Sequence, residues 1–138
     1  MLESVTAFND TVSNPVEDYK CKTERYFNGI SFMNLQDVLE SISFYIEEFV
    51  KEYNQYSDEK LIVKETLIVG SRSRGKEKED SDLDVLVLYE GAIREDHLFN
   101  VINDNDFSIC DVAVDFNPIK VEDAPDWLRS AEEYLEGK

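Results

Sequence analysis

Cysteine, proline and histidine are scarce in this chain, with two, three and one among 138 residues. Cys21 lies in a charged stretch and Cys110 in an apolar one, so no paired spacing marks a zinc site or a disulfide framework. A reducing, cytoplasmic setting is expected. No apolar run approaches the roughly 20 residues that span a bilayer. Met1 to Asn14 lacks a basic start followed by an apolar block, so neither a signal peptide nor membrane association is predicted. Positive charge is also short: 14 Lys and Arg face 31 Asp and Glu, a formal net charge of −17. That field repels phosphate backbones and anionic headgroups, which argues against general nucleic-acid or membrane binding.

Apolar residues are not lacking. They make up 42% of the chain, enough for one domain with one core. Residues 1–33 read as an N-terminal arm, with a turn at Asn14-Pro15 and a short hairpin about Asn28-Gly29. Residues 34–138 read as the folded domain. Leu35, Val38, Leu39, Ile42, Tyr45, Ile46, Phe49, Val50 and Tyr53 recur at three- and four-residue steps, which predicts a helix to about Asn54 capped by Asn34. Strands are expected at Glu65–Val69, Asp82–Tyr89 and Ser108–Phe116, the last ended by Asn117-Pro118. Helices are expected from Glu95 to about Asn103, and over Pro125–Glu136 with Asp123 as a cap. This order implies an α/β (α+β) fold, a small mixed β-sheet packed with helices.

Between the first two strands lies "GSRSRGKEKEDSDLD", residues 70–84. Arg72, Arg74, Lys76 and Lys78 sit in this loop, with Lys60 and Lys64 shortly before it. A solvated loop balancing an acidic surface is the plain account of such a charge cluster. Its neighbours favour another. Residues two apart in a strand share a face, so Asp82 and Asp84 point the same way. Two carboxylates about 4 Å apart repel by roughly 1–4 kcal/mol, a cost relieved where a cation neutralises them. Oxygen ligands without His or Cys favour Mg2+ or Mn2+ over zinc. The structural alternative is that Asp80-Ser81-Asp82 merely caps the strand entry. Gly70 lets the backbone turn sharply after a strand and approach a ligand closely, and Ser71 adds a hydroxyl. Arg74 offers a planar fork suited to phosphate oxygens.

Gly70-Ser71, ten intervening residues and Asp82-x-Asp84, with Arg74-Gly75 in the loop and Ser81 before the first carboxylate, resemble the nucleotidyltransferase superfamily of the DNA polymerase beta type. Within it the chain is similar to the minimal nucleotidyltransferases, over roughly residues 61 to 120. Val114-Asp115-Phe116 fits the place of the third carboxylate on a later strand. Ser73 stands where the family often has alanine. The resemblance implies a polymerase-beta-like fold and a metal-dependent transfer of a nucleoside monophosphate from an NTP, ATP first among them, to an acceptor hydroxyl. Asp82, Asp84 and Asp115 would be catalytic and hold the metal, Mg2+ or Mn2+. Gly70, Ser71 and Arg74 would hold the nucleotide phosphates. Minimal members often act as antitoxins that transfer AMP to a partner toxin, and an acidic chain suits a basic protein partner. A catalytically silent module of the same fold, acting through a protein partner, is the alternative.

Asp111 competes with Asp115 for the third position, since a continuous strand would put both on one face about 13 Å apart. His97 has no ligand-spaced partner and is expected to face solvent.

Overall fold

A computed structural model describes residues 15–78 and 81–123. The predicted helix over 125–136, with Trp127 on its apolar face, lies outside the described residues. The first described element is a helix, α1 (Pro15–Tyr26). This corrects the sequence reading of a polar arm. Helix α2 (Leu35–Tyr56) follows and starts as expected, the Asp37 amide donating to Asn34 Oδ1 at 2.9 Å. Then come strand β1 (Ile62–Val69), a single helical turn α3 (Gly70–Ser73) and strand β2 (Leu83–Glu90). Helix α4 (Glu95–Ile102), the two-residue β3 (Ser108–Ile109) and β4 (Val112–Lys120) complete the sheet, before a 3-10 turn over Val121–Asp123.

The hairpin foreseen about Asn28-Gly29 is reduced to one antiparallel bridge between Ile30 and Met33, turning at Ser31 and Phe32. The third predicted strand is in fact a hairpin. Cys110 and Asp111 take φ of 49° and 70° and form the tight turn between β3 and β4, the left-handed pair that two-residue hairpin turns need.

The sheet is mixed, with strand order β1-β2-β4-β3. β2 runs antiparallel to β1 and parallel to β4. It is the central strand, and Val85 to Tyr89 are all buried. One face, carrying Leu83, Val85, Val87, Tyr89, Ile68, Val114 and Phe116, packs on Val38, Ile42 and Ile46 of α2 and on Leu98 and Ile102 of α4. The other face, with Leu67, Val69, Leu86 and Leu88, packs on Tyr19 of α1. Helix α1 is therefore the cover of the second face.

β4 does not stop at Asn117-Pro118 but runs on to Lys120. The reason lies in which way its amides point. Val114 N–H donates to Phe107 O at 3.0 Å, Phe116 N–H to Asn103 Oδ1 at 2.9 Å and Lys120 N–H to Glu95 Oε2 at 2.9 Å, all away from β2. Pro118 occupies the same outward series, so its missing N–H removes no bond of the β2–β4 ladder.

Candidate active site

Gly70 begins α3 directly after β1, with φ of 76°. That conformation suits glycine. The space demands it too, because a Cβ built there would fall on Oδ2 of Asp84. The Gly-Ser turn and the carboxylate thus touch. Asp84 lies in β2 opposite Val69 on one side and Asp115 on the other. Ladder partners on neighbouring strands stand about 4.8 Å apart, so the Asp84 and Asp115 side chains share the face that α1 covers further along. Asp82 is exposed and stands one residue before β2.

Both half-buried carboxyls are pushed above the ordinary Asp range. For Asp84 the first cause is burial, followed by the charges of Asp115 and Asp82. For Asp115 it is burial, then the charge of Asp82. Burial first, and then crowded negative charge, disfavours the ionised form of both carboxyls. The donor set is oxygen alone, which fits a hard divalent ion, with Asp82, Asp84 and Asp115 as the residues that would hold it. Among the described residues, no group of three or more His, Cys, Asp and Glu side chains already stands in coordinating geometry. Asp84 and Asp115 are brought together by the ladder, and Asp82 is near enough to be felt by both.

The basic cluster comes apart in space. Lys64 lies on β1 five residues before the strand's end, about 17 Å along it. Arg72 turns inward and is 6% exposed, its Nε and Nη2 both donating to Ser81 O at 3.1 Å. Arg74 stays beside the turn, its Nε donating to Gly70 O at 3.3 Å. Lys76 and Lys78 are exposed. Asp111, in the β3–β4 turn and exposed, is off the strand that carries Asp115, so the two do not compete for one position. His97 is exposed on α4.

Sequence reasoning missed the residues that brace the turn. Ser73 is fully buried and donates to Gly70 O at 2.7 Å, and its Oγ lies 3.2 Å from the Tyr19 hydroxyl. Thr23, one helical turn on, donates to Tyr19 O and to Ile68 O at 3.1 and 3.4 Å. Gly75 sits so close beneath the end of α1 that a Cβ would meet Tyr26 O at 2.7 Å. Serine in place of the family's frequent alanine at 73 therefore has a consequence. It joins α1 to the Gly-Ser turn. Ser73→Ala should cost about 1 kcal/mol of stability, the worth of a buried neutral hydrogen bond, read from denaturant unfolding. An unchanged midpoint would show that the link contributes nothing. A signal for α1 was present in the sequence: Pro15 at a first-turn position, followed by Glu17 and Asp18.

The family model described as nucleotidyltransferase domain matches residues 45–133, more than half of the chain. No curated protein and no solved structure matches.

Proposed function

Given that the chain belongs to the nucleotidyltransferase domain family, we propose that it transfers a nucleoside monophosphate, with ATP as first choice of donor, to a hydroxyl on a basic protein partner. One observation carries this: Gly70 closes directly onto Asp84, whose ladder partner is Asp115, so a phosphate-approaching turn and a carboxylate pair form one surface. In this reading the Gly70 and Ser71 amides and the Ser71 hydroxyl hold the terminal phosphates, and Arg74 adds positive charge beside them. Asp82, Asp84 and Asp115 would hold divalent metal, and Asp115 also orients the acceptor hydroxyl and takes its proton as the oxygen bonds to the α-phosphorus. Pyrophosphate leaves in line, carrying the electrons of the broken P–O bond. When bound, Mg2+ or Mn2+ neutralises the phosphates and makes the acceptor hydroxyl more acidic.

A protein acceptor suits the charge. The formal charge of −17 favours a basic surface over nucleic acid. The test is incubation with each α-labelled NTP and Mg2+ or Mn2+ in a lysate of the native cell. Label should enter a protein band from ATP and be lost with chelator. If no NTP gives label and triphosphate binding is indifferent to chelator, the chain is instead a silent module of the fold.

A further inference from the structure

Resting on the function proposed above, we infer that Arg72 is a positioning residue that sets the bearing of Asp82. Asp82 is exposed and precedes the first residue of β2, and the ladder pairs begin only at Leu83 with Val114 and Asp84 with Val69. The sheet therefore does not fix its direction. What reaches it is the peptide on its N-terminal side. The Ser81 carbonyl belongs to the planar unit that enters Asp82, so holding that oxygen holds the plane from which the Asp82 side chain departs. Arg72 grips it with two donors at 3.1 Å each.

Ser81 is held on its other side as well. Its N–H donates to Lys78 O at 3.0 Å, and its Oγ accepts from the Lys78 amide at 2.8 Å. Arg72 itself lies on α3, the residue after Ser71, and is buried. One side chain thereby ties the Gly-Ser turn to the entry of the first carboxylate and keeps the two in register across the loop between them. The planar fork is what the contact uses. Lysine would keep the charge but offers a point donor on a flexible stem.

Arg72→Lys and Arg72→Gln are made in the full chain, beside Asp84→Asn. Three properties are measured without nucleotide: Mn2+ affinity by electron paramagnetic resonance, hydrogen exchange of the Ser81 amide, and thermal unfolding. Both Arg72 variants should unfold cooperatively, bind Mn2+ about tenfold more weakly, as loss of a group that orients a ligand does, and exchange the Ser81 amide faster. Wild-type Mn2+ affinity and Ser81 exchange in the folded variants, with affinity lost in Asp84→Asn, would overturn the role of Arg72 and leave the function intact. Wild-type affinity in Asp84→Asn would place the fault in the metal reading, and the proposal would fall with it. Collapse of the fold in both Arg72 variants would make Arg72 purely structural and equally overturn it.

Discussion

Asp84→Asn will lower nucleotidyl transfer by about a thousandfold or more, because a charged ligand at the centre of the phosphoryl transition state is replaced by a neutral amide of the same shape. The metal-free fold will gain from the same change. Asp84 titrates above the ordinary Asp range through burial and the charges of Asp115 and Asp82. A carboxyl raised in this way contributes stability that is present at acid pH and lost as pH rises through its folded value. The variant carries no such loss, so its advantage in melting temperature should open above the ordinary carboxylate range and close again in acid. Asp115→Asn should abolish transfer as heavily yet leave triphosphate binding nearly intact. Asp111→Asn, in the exposed turn where asparagine accepts positive φ, should change neither. Transfer assays, melts across pH and triphosphate titration read all of these. Full activity in Asp84→Asn would end the nucleotidyltransferase assignment.

Gly70→Ala is expected to be nearly as damaging, for a steric reason. At φ of 76° an alanine carries about 1–2 kcal/mol of left-handed strain. Its methyl also takes the place of Asp84 Oδ2, with Asp84 Cβ and Cγ only 3.3 Å away. The carboxylate or the turn must move, and a displacement of about 1 Å at a reacting centre costs about a hundredfold in rate. Transfer should fall by that order, with a drop in unfolding free energy of about 1 kcal/mol or more. Activity within twofold of wild type would mean that Asp84 does not work from this position.

The grouping at the centre of the candidate site was legible because its signal is local. Gly70-Ser71 and Asp82-x-Asp84 are separated by a fixed count, and the run from Val85 to Tyr89 declares a strand buried on both faces. Asp115 was picked out by its place near a strand end and by the family's Val-Asp pattern, since alternation alone left Asp111 on the same face. What escaped was decided by partners distant in sequence. The apolar stripe of α1 is no more than Val16, Tyr19 and a threonine, and it becomes a covering face only because Leu67, Leu86 and Leu88 wait beneath it. Pro118 read as a stop because proline usually breaks a ladder, and nothing local reveals that its nitrogen faces outward. Asp111 read as strand because a two-residue turn without glycine or asparagine carries little punctuation. Arg72 read only as one more charge in the loop's basic cluster, because its carbonyl partner, Ser81, is nine residues on.

The outward series of β4 has a consequence for assembly. From Val114 to Lys120 each outward amide is already bonded within the chain, to Phe107, Asn103 or Glu95, or is absent at Pro118. No donor there is left to template another strand. Among the described residues the opposite border of the sheet is β1, whose register is broken by a bulge between Val63 and Glu65, a device that discourages pairing. A sheet open to a new strand on one border can join one neighbour through that border. Among the described residues, therefore, the outward amides of β4 from Val114 to Lys120 offer no point at which a further strand could add.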